Sequence, residues 1–494
     1  MRKVFENLLK KRQLVVSLVF FGALCAVDAG LTFGYDGTTD GYWRPIGASV
    51  RNVVCYTLLI SSVCCFLGHA ARWVLVPFFA WSVVCDLACV YCERVYHVPL
   101  YTVWLQAVSD ATGAEIAEFV RMVLTPTMVC VLLAAMAVVG YYGYLMFRRP
   151  HGETNDGRCW RLGIFMVAPF VLFNLLLMNS SAGCAQMYFT SCPICTYIQW
   201  RDHRGAQRAF KNANLPHRVK TVASAGELPN LLIVIGESST RTHWHLYGYD
   251  RETTPKMDAR AAAGEISVLQ GVTCAMPNTG PALEHLLTDS EASHPEKGSW
   301  TLPEVLRRAG YRTALVSNQI ADEHSAVYQV FNGCESRLYL ERVLHEAAPY
   351  YDEVLLPYVE KAFEATNNRP AAVFVHLAGM HYPVRNCYPE RAVFFTGDDR
   401  VARYDNAVRY QDEILDRLLT LAKGMKNSVF FFVSDHGETP DAEVWRDFLD
   451  PADYAIPALV APAQEGLVPN MRQDELTAVI LRLAHVELPI KGGE

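Results

Sequence analysis

Five long apolar runs in the first part of the chain constrain its fold more than any other feature of the sequence. A helix of roughly 20 mainly apolar residues is long enough to cross the hydrocarbon layer of a bilayer. The runs lie near Leu14–Phe33, Val53–Leu67, Trp73–Val90, Met122–Phe147 and Leu162–Met178. A cleavable signal peptide would explain only the first of them. The pattern therefore predicts a transmembrane domain of five spans over residues 1–183.

The positions of the basic residues predict how these spans are oriented, because lysine and arginine in short loops are retained on the cytoplasmic side. Such residues cluster before the first run and between the fourth and fifth runs: Arg2, Lys3, Lys10, Lys11, Arg12, Arg148, Arg149, Arg158 and Arg161. With five crossings, everything after about residue 180 lies outside. We expect a multi-pass protein of a bacterial inner membrane whose catalytic domain is in the periplasm. The loop near residues 91–121 also falls outside, either as an interfacial segment on the bilayer or as a plain loop.

Composition excludes one class of partner and describes the exported part of the chain. A net charge of -7 over 494 residues gives no broad basic surface, so we expect no nucleic-acid binding. Six exported cysteines permit three disulfides in fifteen pairings: Cys184, Cys192, Cys195, Cys274, Cys334 and Cys387. The Cys192-Pro-Ile-Cys195 spacing favours a structural disulfide over a zinc or redox site.

From about residue 229 the sequence alternates short apolar runs with amphipathic stretches, which is typical of a mainly parallel sheet flanked by helices. The clearest strands are predicted at Leu231–Ile235, Thr313–Val316, Ala372–His376 and Ser428–Val433. Helices are predicted after Thr301, as a capping residue, and over about Val401–Ala422. Residues 184–228, polar and mixed, are predicted to bridge the membrane domain and a catalytic domain at 229–494.

Acidic and imidazole groups directly follow two of these predicted strands. Glu237 comes after the first strong strand, and Asp435 and His436 come after the last. Because sheets of this type place ligands at the carboxyl ends of their strands, a shared site is expected there. Oxygen and nitrogen ligands without a thiolate suit zinc or a harder divalent cation. His376 ends a third strand, with His381 five residues later.

A threonine opens the segment Met276-Pro-Asn-Thr279-Gly-Pro281, where Pro281 indicates the start of a helix. The free N–H groups and dipole of a helix start favour an anionic phosphate. A threonine hydroxyl becomes an effective nucleophile only beside a metal or a base. From the residues alone, Thr279 is either the N-cap of this helix or a nucleophile.

Taken in series, these segments resemble the phosphoethanolamine transferases of the alkaline phosphatase and sulfatase superfamily. The matching strings, in order, are Ile233-Val-Ile-Gly-Glu237-Ser-Ser, Tyr247-Gly-Tyr-Asp-Arg-Glu-Thr-Thr-Pro255, Asn278-Thr279, His376-Leu-Ala-Gly-Met-His381-Tyr-Pro, Tyr404-Asp405-Asn406 and Val433-Ser-Asp435-His436-Gly-Glu438. The predicted five-span anchor extends the similarity over nearly the whole chain.

The resemblance implies a zinc enzyme with a covalent intermediate. Glu237, Asp435 and His436 would bind Zn²⁺, with Thr279 completing the coordination and attacking the phosphorus of phosphatidylethanolamine. A surface glycan or glycolipid, such as lipid A or a core sugar, would then accept the phosphoethanolamine group. Three residues are implied as substrate-binding: His381, which matches a position that contacts the phosphate or a second metal, His376, which either does likewise or packs at the strand end, and Asn278, through the phosphoryl oxygens. We expect a monomer.

One departure from the family pattern concerns a second metal. Relatives usually have another histidine between the Asp-His-Gly-Glu segment and the final strand, whereas residues 439–455 contain none. Either His381 and His376 hold the substrate without it, or the acceptor binds differently.

Three other functions are compatible with parts of this sequence to different degrees. A formylglycine sulfatase needs proline two residues and arginine four residues after its cysteine, and Cys274 is followed there by Met276 and Asn278. A phosphoglycerol transferase, which also has five spans and a threonine nucleophile, would prefer manganese or magnesium and is the main alternative. A degenerate sensor or scaffold would have lost a metal ligand, and all four candidates are present.

Overall fold

The computed structural model of the chain describes residues 12–32, 57–64, 66–96, 124–148, 220–221, 228–289, 300–319, 326–340, 351–364, 369–381, 384, 387–397, 399–440 and 450–487. Its contacts divide the chain into two compact units, Met1–Arg204 and Gly205–Glu494. Most of the predicted bridging segment, 184–228, lies outside the described residues.

The first unit contains three long helices, α1 (Arg12–Thr32), α2 (Arg72–Tyr96) and α3 (Pro126–Phe147), with a 3-10 turn at Gly68–Ala71. Large aromatic side chains fill the contacts between them, since Phe21, Phe79 and Tyr142 are fully buried. The hydroxyl groups of Ser17 and Tyr142 share a hydrogen bond of 2.7 Å. The three helices therefore form a packed group with its own apolar core.

One helix within the described part of the chain, α3, is long and apolar enough to cross a membrane by its length and composition. Shorter apolar helical stretches cover Gln13–Leu24 and Arg72–Val84. The first, third and fourth predicted spans thus fall on helices, and residues 57–64 of the second are helical. The fifth, Leu162–Met178, lies outside the described residues. The number of spans stays a prediction.

The second unit is built on a sheet of seven strands in the order β3-β8-β7-β2-β6-β4-β5. A separate antiparallel pair joins β1 to β9. The nine strands are β1 (Lys220–Thr221), β2 (Asn230–Gly236), β3 (Ser267–Val268), β4 (Arg312–Ser317), β5 (Ser336–Tyr339), β6 (Ala371–His376), β7 (Ser428–Ser434), β8 (Ala458–Ala461) and β9 (Val486–Glu487). All four strands predicted from the apolar runs are present, as β2, β4, β6 and β7.

The prediction of a mainly parallel sheet needs correction, because the sheet is mixed. Strands β7, β2, β6, β4 and β5 run parallel to one another, but β8 pairs antiparallel with both β7 and β3. The described part of the connection from β7 to β8 includes only the short helix Pro451–Tyr454, and an antiparallel neighbour, unlike a parallel one, needs no crossover helix. The parallel part of the sheet is the part that presents the predicted site.

Helices cover both faces of this sheet. They are α4 (Pro255–Ala262), α5 (Thr279–Leu287), α6 (Leu302–Arg308), α7 (Ala326–Gln329), α8 (Leu356–Glu364), α9 (Arg400–Lys423), α10 (Pro451–Tyr454) and α11 (Gln473–Leu483), with 3-10 turns at Arg241–His243, His245–Tyr247, Asp352–Leu355 and Glu390–Ala392. The predicted helices after Thr301 and over Val401–Ala422 are therefore α6 and α9. The hydroxyl of Thr301 makes no capping hydrogen bond, contrary to the prediction.

Alternate residues of the central strand β2 belong to two different apolar cores. Leu231, Ile233 and Ile235 pack with α5, α6 and α11, whereas Leu232 and Val234 pack with α4, α8 and α9. Successive side chains of a strand point to opposite faces, so a strand that is apolar throughout is buried from both sides. The second unit therefore has three layers, with the sheet between two layers of helices.

Cysteines of the second unit are reduced where the structure describes them. Cys274, Cys334 and Cys387 are free thiols, the first two buried. The six exported cysteines therefore do not form three disulfides. Cys184, Cys192 and Cys195 lie outside the described residues, so the structural disulfide favoured for Cys192 and Cys195 stays a prediction.

Candidate metal centre

Two neighbouring strands, β2 and β7, bring three potential metal ligands together at the carboxyl edge of the sheet. Glu237 directly follows β2, and Asp435 and His436 directly follow β7, which is paired with β2 in register. The Nε2 atom of His436 lies 3.4 Å from Glu237 Oε1 and 3.5 Å from Asp435 Oδ2. One ligand atom from each residue lies within 4.8 Å of the others, and all three side chains are buried.

The hydroxyl of Thr279 completes this cluster. Thr279 is the first residue of α5, and Asn278 occupies the N-cap position without a capping hydrogen bond from its side chain. Thr279 Oγ1 lies 3.1 Å from Glu237 Oε2, 3.3 Å from Glu237 Oε1 and 3.4 Å from His436 Nε2. The structure thus places a hydroxyl at the start of a helix against two of these three side chains, Glu237 and His436.

The hydrogen bonds around the cluster use Nδ1 of His436 and Oδ1 of Asp435, so that Nε2 of His436 and Oδ2 of Asp435 face each other. His436 Nδ1 lies 2.8 Å from the carbonyl oxygen of Gly437. Because a carbonyl only accepts, Nδ1 holds the hydrogen and the neutral imidazole directs the lone pair of Nε2 towards the carboxylates. Asp435 Oδ1 accepts from the amides of Ser238 and His436, at 3.0 and 2.6 Å, whereas its buried Oδ2 accepts no hydrogen bond from any described residue.

The electrostatics of the two carboxylates indicate what kind of group the cluster can bind. Burial and the negative charge of Glu237 raise the pKa of Asp435 well above its usual range. Burial is the strongest influence on Glu237 and opposes its ionisation, but a proton on His436 Nε2 that bonds to Glu237, together with positive charge on His436, His381 and His376, outweighs burial and lowers the pKa of Glu237 below its usual range. Two buried carboxylates and an imidazole lone pair repel one another unless a proton or a cation lies between them. The donor set therefore fits a divalent cation, and its mixture of oxygen and nitrogen atoms fits zinc.

Helix α9 holds the loop that contains Glu237. The fully buried hydroxyl of Tyr404 donates to the carbonyl oxygen of Ser238 at 2.7 Å and accepts from the amide of Thr240 at 2.8 Å. Ser238 has a left-handed backbone, with φ of 56°, which is strained for a residue other than glycine. Its hydroxyl donates to Glu237 Oε1 at 2.8 Å. The strained residue Ser238 is thus adjacent to the candidate ligand Glu237, and the two hydrogen bonds of the Tyr404 hydroxyl hold its backbone in this conformation.

The other predicted substrate-binding residues lie around this cluster. His376 is fully buried at the end of β6, neither ring nitrogen has a hydrogen-bond partner among the described residues, and burial lowers the pKa of His376 to about 4. His381, partly buried, follows on the turn after β6. Both are close enough to Glu237 to affect its pKa. Asn278, next to Thr279, is buried.

Sequence reasoning missed two polar residues of the site. Gln319, two residues beyond β4, donates from Nε2 to Glu237 Oε2 at 3.4 Å, and Ser238 contacts the other oxygen of the same carboxylate. The rule that located Glu237 and Asp435, a polar side chain just beyond a strand, also applies to Gln319. A glutamine side chain has no charge and occurs in many roles, so the sequence pattern alone does not mark Gln319 as a functional residue.

Gly379 is predicted to be intolerant of even a methyl group. Its φ is +52°, and a Cβ there would lie 2.5 Å from the carbonyl oxygen of Glu237 and 2.8 Å from its amide nitrogen. Gly379→Ala should therefore destabilise the second unit by the strain of the backbone, about 1–3 kcal/mol, plus an overpacking cost of similar size, and should weaken metal binding. Calorimetric unfolding and zinc titration measure both effects.

A matched control for this substitution is Gly248→Ala. Gly248 also has a positive φ, +99°, but a Cβ there meets nothing within 4 Å. The Gly248→Ala variant should lose only the part of its stability that corresponds to backbone strain, and it should bind zinc as the wild type does. Equal losses of stability and of zinc affinity in the two variants would show that the close packing of Gly379 against the backbone of Glu237 does not contribute to either.

A three-layer α/β domain with a candidate cation site at its carboxyl edge and a hydroxyl beside that site is the arrangement of an enzyme domain of the alkaline phosphatase and sulfatase type. The chain belongs to the sulfatase family, whose family model matches residues 229–486. Its similarity to phosphoethanolamine transferases is confirmed by curated relatives. One is phosphoethanolamine transferase EptC of Escherichia coli, 30% identical over 267 residues that cover 49% of this chain and 46% of that protein. The chain spans about half the length of the curated relatives it matches.

Solved structures share the fold. The integral membrane protein lipooligosaccharide phosphoethanolamine transferase A of Neisseria meningitidis matches with a TM-score of 0.61 and 18% identity, over 97% of this chain and 96% of that chain. The C-terminal periplasmic domain of EptC from Escherichia coli, solved in complex with Zn, matches with a TM-score of 0.51 and 24% identity, over 56% of this chain and 87% of that chain.

Proposed function

We propose that this chain is a membrane-anchored, zinc-dependent phosphoethanolamine transferase. It takes the phosphoethanolamine group from phosphatidylethanolamine and gives it to a surface glycan or glycolipid, such as lipid A or a core sugar, through a phosphoethanolamine-threonine intermediate on Thr279. The observation that supports this most directly is the position of the Thr279 hydroxyl, 3.1 Å from Glu237 and 3.4 Å from His436. The activity for which the relatives are named indicates the reaction class, and the Zn complex of the EptC domain supports the choice of metal.

In this proposal Glu237, Asp435, His436 and Thr279 hold the zinc ion. When bound, zinc supplies a positive charge that lowers the proton affinity of the threonine hydroxyl and withdraws electrons from the phosphoryl group. The chain supplies the geometry. Glu237 Oε2 accepts the hydrogen bond of the Thr279 hydroxyl and is placed to receive its proton. The N-terminus of α5 directs backbone N–H groups and the positive end of its dipole to the phosphoryl oxygens.

The reaction then has two balanced halves. In the first, Thr279 Oγ1 forms a bond to phosphorus, the bond to the diacylglycerol oxygen breaks, and that oxygen takes a proton to leave as diacylglycerol. In the second, a hydroxyl or phosphate oxygen of the acceptor attacks the same phosphorus and Thr279 leaves with its proton restored. His381, His376 and Asn278 are proposed to bind the phosphoryl and leaving oxygens. No role for a second zinc is included, because residues 439–455 contain no histidine.

The setting of the reaction is also part of the proposal. The helix α3 meets the length and composition of a membrane span, and the full-length neighbour of similar fold is an integral membrane protein. We infer a five-span anchor over residues 1–183, a bridging segment over 184–228 and a catalytic domain over 229–494 in the periplasm of a bacterial inner membrane. The bilayer then delivers the donor lipid, and the enzyme acts as a monomer without nucleic acid.

The test of this function is the mass of the intact, purified full-length chain after incubation with zinc and phosphatidylethanolamine. One added phosphoethanolamine group, located on Thr279 by peptide fragmentation, is the expected result. A phosphoglycerol adduct formed from phosphatidylglycerol instead would indicate the alternative donor. No adduct from either lipid would contradict the covalent mechanism.

A further inference from the structure

Gln319 links the candidate metal centre to the turn that follows β6. Its Nε2 atom lies 2.8 Å from the carbonyl oxygen of Leu377 and 3.4 Å from Glu237 Oε2. Both partners are acceptors, so the amino end of the amide must face them and not the carbonyl end. The side chain therefore uses its two N–H groups to join a candidate metal ligand to a main-chain carbonyl.

The oxygen that Gln319 contacts is the one nearest to the nucleophile. Glu237 Oε2 receives the Thr279 hydroxyl at 3.1 Å, whereas Glu237 Oε1 receives the Ser238 hydroxyl at 2.8 Å. Each oxygen of the carboxylate thus has its own fixed donor from outside the set of ligands. A carboxylate with a donor on both oxygens has its plane and rotamer set before a cation binds.

The turn that Gln319 contacts is itself rigidly held. Asp352, which is buried, accepts from the amides of Ala378 and Gly379 at 2.8 and 3.0 Å and from Asn318 Nδ2 at 2.8 Å. The amide of Met380 donates to the carbonyl oxygen of Glu237 at 3.0 Å. The carbonyl of Leu377 is therefore a fixed anchor, and the amide of Gln319 is oriented by it.

We propose that Gln319 is a positioning residue for the metal centre, which sets the orientation of the Glu237 carboxylate relative to Thr279. Its effect on metal binding depends only on the geometry above, whereas its effect on transfer rests on the proposed function. Removal of its two donors leaves Glu237 Oε2 without its outer hydrogen bond and lets the carboxylate rotate towards Ser238. The Glu237 carboxylate then loses rotational freedom each time a cation binds, which weakens cation binding.

The experiment compares the full-length wild-type chain with Gln319→Met and Gln319→Ala. Methionine keeps the length of glutamine without its donors, and alanine tests whether the result depends on the new side chain. Gln464→Met is the matched control, because Gln464 Nε2 also donates to a main-chain carbonyl, that of Pro462, at 3.0 Å. Zinc affinity is measured by competition with a chelator, and the unfolding temperature is measured without metal.

Both Gln319 variants should bind zinc about 10-fold more weakly, with an unfolding temperature of the metal-free chain within about 2 °C of wild type. The kcat for transfer should fall about 10-fold while KM stays nearly constant, because the lost contact does not touch the lipid. Gln464→Met should match wild type in every measurement.

Wild-type zinc affinity in the Gln319 variants would overturn this inference, and so would a loss of affinity that merely follows a large fall in the unfolding temperature. If the wild-type chain transfers no phosphoethanolamine but the Gln319 variants still bind zinc more weakly, the proposed function fails and the positioning role stands. A wild-type chain that binds no zinc would overturn both.

Discussion

Thr279→Ala should abolish transfer, lowering kcat/KM by about 10³-fold or more, the loss typical of removing a covalent nucleophile. The variant should also form no adduct with phosphatidylethanolamine. Alanine lacks the hydroxyl and the γ-methyl group of a partly buried side chain at the first residue of α5, a loss small enough that the fold should persist. Zinc binding should weaken but not vanish, because Glu237, Asp435 and His436 remain. Rates with labelled lipid, intact mass and a zinc titration measure the three effects.

Two further variants sharpen this prediction. Thr279→Ser keeps a hydroxyl and should still form the adduct, at a reduced rate. Thr288→Ala, at the other end of α5, removes a hydroxyl that donates to the carbonyl oxygen of Glu284 and should leave transfer near wild type. Transfer at the wild-type rate by Thr279→Ala would remove Thr279 from the mechanism.

Asp435→Asn should change metal binding and metal-free stability in opposite directions. The amide keeps an oxygen for the hydrogen bonds from Ser238 and His436, and its NH₂ group can donate to Glu237 in place of the repulsion between two buried carboxylates. The metal-free chain should gain about 1 kcal/mol or more, raising its unfolding temperature by about 2–4 °C. Zinc affinity should fall roughly 100-fold or more, so that added zinc no longer stabilises the chain.

Asp412→Asn provides the control for this prediction. Asp412 is also fully buried, but its carboxylate accepts from the amides of Lys256 and Met257 at the start of α4, away from the metal centre. That variant should retain the stabilisation by zinc. If Asp435→Asn loses stability without metal and still binds zinc tightly, the two carboxylates do not share a cation.

Much of the sheet could be predicted because its central strands are apolar throughout. The runs that became β2, β4, β6 and β7 are buried from both sides, and each end of these strands lies within one residue of its predicted position. The edge of the sheet could not be predicted in this way. Strand β3 has two residues and β8 has four, which is too short for a periodic pattern to indicate their direction.

The candidate site likewise has a part that the sequence predicts and a part that it does not. Glu237, Asp435 and His436 could be located because each directly follows a strong strand, and strands that run parallel end at one edge. The contacts around these residues could not be predicted from the sequence. The left-handed backbone of Ser238, the two hydrogen bonds of the Tyr404 hydroxyl and the orientation of Gln319 all depend on contacts between segments far apart in the sequence, which no local pattern records.

The pairing of β2 with β7 also bears on how the enzyme matures. Ser238 and Asp435 are 197 residues apart in the chain, so the candidate ligands meet only after the chain is complete through β7 and strands β2 and β7 have paired. Metal capture is then a late event that cannot nucleate folding. A chain truncated before residue 428 would lack half of the ligands, however much zinc the compartment contains.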